Sequence, residues 1–353
     1  MADSPAQQPG LLFANSPDVS QPVRLPPPWR IMGRMLRAAI LDDYQGVALS
    51  MTDWSPLDGR VQVDVFREHI AQEDDIVAAL QPYDIVVAMR ERTAFPRTTL
   101  DRLPNLKLLI TTGMGNAAVD VRACYDHGVT FSGTGGGGTS TAELTWALIL
   151  AAARGIVTEV NNVRGGGWMT TVGTDLQGQT LGLLGLGRLG GRVATIGRAF
   201  GMELIAWSQN LTADRCAEMG VTLVERHELF RRADFLSVHL VLSERTRGLV
   251  SERDLRQMKQ TAWLVNTSRG PIVDEAALAA ACEEGWIAGA ALDAYSVEPL
   301  PAGHPFRRLN NVLPSPHVGY VTEATYHTWF AHIVDDIAGF VDGKPVRIIP
   351  RPS

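Results

Sequence analysis

Short apolar runs recur along this chain, each stopping at glycine, at acids or at a polar loop, with amphipathic stretches between them. Ala38-Ala39-Ile40-Leu41 runs into Asp42-Asp43, and Val61-Gln62-Val63-Asp64-Val65-Phe66 follows. Asp84 to Arg90 and Leu106 to Thr112 repeat the form, with a helical stretch, Asp74 to Leu80, among them. Such short, largely apolar runs predict strands covered on both faces, as in a parallel sheet flanked by helices. Thr139 to Arg154 predicts a helix apolar on most of its surface, buried in a core or between subunits. Strands are predicted again over 179–184, 204–207, 235–240, 263–266 and 289–293, with helices between (the first over 191–200) and a closing helix over 322–342. The fold class is α/β, with two doubly wound parallel-sheet domains.

Chemistry enters at Gly185-Leu186-Gly187-Arg188-Leu189-Gly190, between the strand over 179–184 and the helix that follows. Strand, three glycines, helix is the arrangement that holds a dinucleotide pyrophosphate. Gly185 permits the tight turn, Gly187 lets backbone approach the phosphates, and Gly190 lets helix and strand pack closely. The helix start offers N–H groups and the positive end of a dipole to the anion.

The chain has 353 residues, a length that suits two domains. Acids outnumber bases, 38 to 32, for a net charge of −6, which argues against nucleic acid or an anionic membrane as the main partner. Cys124, Cys216 and Cys282 are scattered, with neither a disulfide framework nor metal-ligand spacing, so no metal is expected and a reducing cytoplasm is the natural setting. The longest apolar run, Trp146 to Ala153, is too short to cross a bilayer. Residues 1–34 are rich in Pro, Ser and Gln and are expected to be a disordered extension without a secretory signal, with Met35 a candidate start.

Four polar groups fall just past strand C-termini, where α/β sites form: Arg269, Asp293, Glu298 and His317. Each alone also suits an ordinary loop or capping residue; their succession past neighbouring strands points to hydride transfer. A guanidinium fork matches a carboxylate and its adjacent carbonyl. An imidazole can protonate a forming alkoxide, and a carboxylate beside it orients the ring and favours the imidazolium.

At these residues the chain resembles the D-isomer-specific 2-hydroxyacid dehydrogenase family, from about Leu36 to Pro350. The motifs run in order: Thr141-Ala142-Glu143-Leu144 with Ala152-Ala153-Arg154, Gly167-Trp168, Val238-His239-Leu240-Val241-Leu242 with Thr246-Arg247-Gly248-Leu249, Asn266-Thr267-Ser268-Arg269-Gly270, Leu292-Asp293 with Glu298-Pro299, and Pro316-His317-Val318-Gly319. The resemblance implies that Arg269 binds substrate, that His317 is the acid/base and that Glu298 pairs with it. It implies a substrate loop, Gly113-Met114-Gly115-Asn116, whose N–H groups grip the carboxylate, with Arg90 at the same cleft. It further implies a cofactor surface of Gly185, Gly187, Arg188, Leu189, Gly190, Ser208, Gln209, Asn210, His239, Leu240, Thr246, Thr267, Asp293 and Thr141. The domains implied are a split flavodoxin-like substrate domain, 35–138 plus 318–353, and an inserted Rossmann NAD(P) domain, 139–317. A homodimer through the cofactor domain is implied too, and would account for the apolar helix after Thr139.

Two departures from the family pattern bear on specificity. An NAD-binding unit usually ends its second strand with an acid for the ribose hydroxyls, but here Ala206-Trp207 runs into Ser208-Gln209-Asn210. That favours NADP over NAD, although the nearest base is Arg215. The loop Gly133-Thr134-Gly135-Gly136-Gly137-Gly138 is richer in glycine than the family's, as a hinge or as an exposed turn. The expected reaction reduces a small 2-oxo acid to the D-2-hydroxy acid, or the reverse, with glyoxylate or hydroxypyruvate preferred by analogy. The alternative is a dinucleotide-sensing binding protein of the same fold without catalysis. Formate oxidation is disfavoured by Glu298, where formate enzymes carry an amide.

Overall fold

A computed structural model describes residues 34–136 and 138–352. The extension expected over 1–34 lies outside the described residues, Arg34 excepted.

The first half builds five strands: β1 (Leu36–Ile40), β2 (Val61–Val65), β3 (Ile85–Ala88), β4 (Leu108–Thr111) and β5 (Thr130–Gly133). Their order is β2-β1-β3-β4-β5, all parallel. Helices α1 (Glu73–Leu80), α2 (Arg97–Leu100) and α3 (Val121–Asp126) lie between them in the chain. Every residue of β3 and β4 is buried, which explains their unbroken apolar runs. The strand order reverses between β1 and β3, so the loops after those two strands flank a crevice at the carboxyl edge.

Two helices follow, α4 (Ser140–Ala153) and α5 (Ile156–Arg164). Then come β6 (Thr180–Leu184), α6 (Arg188–Ala199), β7 (Glu203–Trp207), α7 (Ala213–Met219), β8 (Thr222–Leu223) and α8 (Arg226–Arg232). The unit continues through β9 (Phe235–Val238), α9 (Glu252–Leu255), β10 (Trp263–Asn266), α10 (Glu275–Glu283), β11 (Gly289–Leu292) and β12 (Val312–Pro314). The second sheet runs β12-β11-β10-β9-β6-β7-β8, parallel throughout, with its reversal between β6 and β9.

The last helix, α11 (Glu323–Val341), follows the second sheet in sequence but packs on β4 of the first. Phe330 meets Trp54, ring centroids 6.4 Å apart. Beyond the helix, Ile349 N–H donates to Phe131 O at 2.8 Å, so the chain end is tied to β5.

The helix expected to begin at Gly191 begins instead at Arg188, because Gly187 is its cap and Gly190 and Gly191 lie inside it, both buried. Strand β1 stops at Ile40, short of the expected Asp43: Asp42 takes φ 57°, which a strand does not tolerate. Of the two environments expected for α4, the core accounts for its burial. It packs on α6, β10 and β11, and Trp146 donates Nε1–H to Val193 O at 3.2 Å while stacking on Phe200 at 4.9 Å. Exposed apolar residues cluster on α5 and the segment after it: Ile156, Val157, Val160, Val163, Trp168 and Met169. The glycine loop is anchored at its start, where Gly133 N–H donates to Arg347 O and Gly135 N–H to His332 Nδ1, both at 3.1 Å.

Candidate active site

The glycine turn has the geometry a dinucleotide requires. Gly185 stands at φ 104°, and a Cβ there would meet His239 O at 2.8 Å. A Cβ on Gly190 would lie 2.3 Å from Gly185 O, so only glycine allows helix α6 to sit this close to the turn. At Gly187 a Cβ would meet no atom within 4 Å. That open space lies at the start of a helix whose first N–H groups have no intrahelical acceptor, where a pyrophosphate fits. Arg188 donates from Nη1 to Gly138 O at 3.2 Å, tying α6 to the segment before α4. His239 packs against the turn and shares a proton with Ser237 Oγ across 2.8 Å; burial pushes its pKa down to about 4, so the ring is neutral.

Strands β10, β11 and β12 are neighbours, so the loops after them lie side by side. The first carries Arg269, the second Asp293 and Glu298, the third His317. His317 Nδ1 and Glu298 Oε2 are 2.6 Å apart, and Glu298 Oε1 accepts from Tyr295 N–H at 2.9 Å. His317 sits at φ 55°, a conformation rare for a residue with a side chain. Asp293 holds it there: its two oxygens accept the N–H groups of Val318 and Gly319, each at 2.8 Å. Burial raises the Asp293 pKa against those donors. Thr141 adds a bond from its hydroxyl to Gly319 O at 3.1 Å, linking α4 to the same loop. The Tyr320 ring meets the His317 ring edge-on at 5.7 Å. Among the described residues none bonds His317 Nε2, which leaves that nitrogen for a reacting group.

The loops of the first sheet bring the remaining groups. Arg90 takes φ 54°, its N–H donates to Thr112 Oγ1 at 2.9 Å and its Nη1 to Thr112 O at 3.0 Å. Asn116 spends its amide on the framework, donating to Arg90 O at 2.7 Å and to Thr111 Oγ1 at 3.0 Å. Gly113 N–H goes to Thr134 Oγ1 at 2.7 Å; among the described residues the N–H groups of Met114 and Gly115 take no partner, and Met114 is exposed. Arg269 donates from Nη1 to Ser268 O at 2.8 Å and from Nη2 to Glu91 Oε1 at 3.0 Å. Glu91 therefore joins the two halves of the cleft. Burial opposes its charge, but Arg90 and Arg269 outweigh burial and hold its carboxyl below the usual range.

A cavity of about 380 Å³ opens beside His317 and Glu298, lined also by Tyr44, Arg92, Tyr295 and Leu300. Arg92 lies over the Tyr44 ring at 4.6 Å and donates to Asp42 O at 2.9 Å. A larger cavity of about 650 Å³ lies at the opposite end of the second sheet, near Gln179, Trp263 and Asn311; no candidate residue lines it.

The other residues expected at the cofactor fall into two groups. Leu240 packs on the glycine turn, with its Cδ2 3.0 Å from where a Gly185 Cβ would stand, and Leu189 is half-buried in the first turn of α6. Ser208, Gln209 and Asn210 follow β7, the strand beside the turn, and no carboxylate stands among them. Thr267 and Thr246 are engaged within the protein. The Thr267 hydroxyl lies 2.7 Å from that of Thr145, and Thr246 donates to Val241 O at 2.7 Å, closing its own loop. The residues not foreseen are Glu91, Arg92, Tyr44 and Tyr320. The charged run Arg90-Glu91-Arg92 immediately after an apolar strand was the available signal.

Comparison with known proteins agrees with this geometry. The model of the D-isomer specific 2-hydroxyacid dehydrogenase NAD binding domain matches residues 146–319. The glyoxylate reductase of Aeropyrum pernix is 39% identical over 290 residues, 76% of this chain and 87% of that one. The D-3-phosphoglycerate dehydrogenase of Archaeoglobus fulgidus is 34% identical over 277 residues, 78% of this chain and 52% of that one. A crystal structure described as a phosphoglycerate oxidoreductase from Vibrio cholerae O395 superposes with a TM-score of 0.84 at 36% identity, covering 88% of this chain and 100% of that one. The fold and site thus define an NAD(P)-dependent oxidoreductase. The chain belongs to the D-isomer-specific 2-hydroxyacid dehydrogenase family and is an enzyme of it.

Proposed function

We propose that this enzyme reduces a small 2-oxo acid of the glyoxylate or hydroxypyruvate kind to the D-2-hydroxy acid, with His317 as acid/base, Glu298 as its partner and Arg269 as the substrate cation. The observation that carries the reading is the 2.6 Å His317–Glu298 pair, formed between the loops after β12 and β11 beside the Arg269 loop, in a sheet that also carries the dinucleotide turn. The bound nicotinamide supplies the hydride. Glu298 on Nδ1 fixes the ring so that Nε2–H faces the substrate. The imidazolium gives its Nε2 proton to the carbonyl oxygen, which becomes the product hydroxyl; in reverse the neutral ring takes it back. Arg269 and the N–H groups of Met114 and Gly115 bind the substrate carboxylate, and Arg269 offsets charge growing on the oxygen.

The lobes divide the work, 35–138 with 318–353 for substrate and 139–317 for cofactor. NADP is preferred to NAD: a carboxylate at 208–210 would repel a 2′-phosphate, and none stands there. A homodimer covers the apolar face of α5 and of Trp168 and Met169; sedimentation as a monomer at micromolar concentration would remove that part. Three free, buried thiols accord with a cytoplasmic setting. Among the described residues no single helix is long and apolar enough to cross a membrane.

The test is NADH and NADPH oxidation with glyoxylate, hydroxypyruvate and pyruvate. Turnover of the first two, faster with NADPH, supports the reading. Silence across the panel with tight nucleotide binding would favour a dinucleotide sensor instead.

A further inference from the structure

Glu91 is the cleft acid to which the proposed chemistry gives no task. It stands between Arg90 and Arg92 on the loop after β3, and its two oxygens face two guanidiniums from opposite halves of the cleft. Oε1 accepts from Arg269 Nη2 at 3.0 Å. Oε2 lies 3.6 Å from Arg90 Nε, yet it is buried and makes no hydrogen bond among the described residues. One edge of the Arg269 fork is therefore occupied by the protein's own carboxylate.

The placement of charge, more than its sum, then decides what the cleft accepts. Arg90, Arg92 and Arg269 together would form an anion trap with capacity for more than one negative group. Glu91 cancels one of these charges beside Arg269, where a substrate's carboxylate is to be held. A single carboxylate still finds the free N–H groups of Arg269 and of the Met114–Gly115 loop. A second anion on the same small molecule meets Glu91 within a few ångströms, in a cleft where water screens weakly.

We propose that Glu91 is a specificity-determining residue that restricts this site to 2-oxo acids bearing one negative charge and turns away those with a second carboxylate or a phosphate. The inference rests on the 2-oxo acid reductase reading above. It bears on the relatives just named, because it separates glyoxylate and hydroxypyruvate from phosphorylated 2-oxo acids on physical grounds.

The test compares wild type with Glu91→Gln and Glu91→Asp. It measures kcat/KM for glyoxylate and hydroxypyruvate, each with one charge, and for oxaloacetate and 3-phosphohydroxypyruvate. Wild type favours the singly charged pair. Removing a like charge at this range raises the ratio of multiply to singly charged substrate by roughly tenfold or more in E91Q, while E91D, which keeps the charge, holds the wild-type ratio. Calorimetry gives a readout without turnover: E91Q binds malonate more tightly relative to oxamate than wild type does. An active wild type whose ratios move by less than about twofold in E91Q overturns the role of Glu91 and leaves the reductase reading standing. A wild type inactive on all four acids overturns both.

Discussion

His317 occupies a left-handed backbone conformation that costs on the order of 1 kcal/mol and persists only where neighbours hold it. Asp293 does the holding, through the N–H groups of Val318 and Gly319, so its contribution to the site is the placement of the imidazole. Asp42 and Arg90 share that backbone region, and both follow strands whose loops flank the first sheet's crevice. A second buried acid, Asp336, sets a pH dependence of stability. Its side chain is fully buried, Oδ1 accepts from Arg347 Nε at 3.1 Å and Oδ2 has no hydrogen-bond partner among the described residues. Burial pushes its pKa up to about 7, more than Arg347 lowers it. A raised folded-state pKa means the fold prefers the protonated acid. That stabilisation is complete below the unfolded carboxyl's pKa and is lost as pH rises through about 7. Asp336→Asn should therefore melt several degrees above wild type at about pH 8, and the gap should close towards pH 5. Thermal melts of both proteins across that range check it; a variant less stable at every pH would show that the ionised pair stabilises the fold.

Among single residues, Arg269, Glu298 and His317 were legible because each is a reactive type standing just past a short apolar run. Glu91 was not. A charged triplet in a loop reads as solvated surface, and its burial depends on Arg269, 178 positions away.

At the scale of elements, the short apolar strands and α4 were legible, and the departures have local causes. β5 is Thr-Phe-Ser-Gly, too short and polar to show a period, and it exists because β4 and the returning chain end flank it. Helix α5 buries none of its residues, so its apolar positions read as noise until the face they make is seen. The glycine turn was legible in full, yet its glycines are not equivalent. Gly190→Ala forces a Cβ to within 2.3 Å of Gly185 O and should destabilise the fold. Gly187→Ala meets no protein atom and should leave the melting temperature unchanged. It should weaken dinucleotide binding by roughly 10–100-fold, the worth of one or two charge-assisted hydrogen bonds. Calorimetric titration with NADPH beside a melt of each variant separates the two effects. Equal losses of stability would show that Gly187 serves packing and not the cofactor.

At the scale of the whole molecule, two sheets with different strand orders each present a reversal point. The first sheet's crevice carries Arg90 and Glu91, the second's carries the glycine turn and His239, and three adjacent strand ends supply Arg269, Glu298 and His317. The chain end returning over the first sheet through α11 puts His317 on the path between the halves. That division was legible as two successive β/α alternations; the return of the last helix was not legible from periodicity, because packing partners are not local. The account as a whole rests on His317 moving the proton that balances the hydride. The most direct test is His317→Ala, assayed for NADPH oxidation with glyoxylate at neutral pH and titrated with NADPH. A fall in kcat of roughly 10²–10⁴-fold with cofactor affinity unchanged is the result predicted. Turnover within a few-fold of wild type would contradict it.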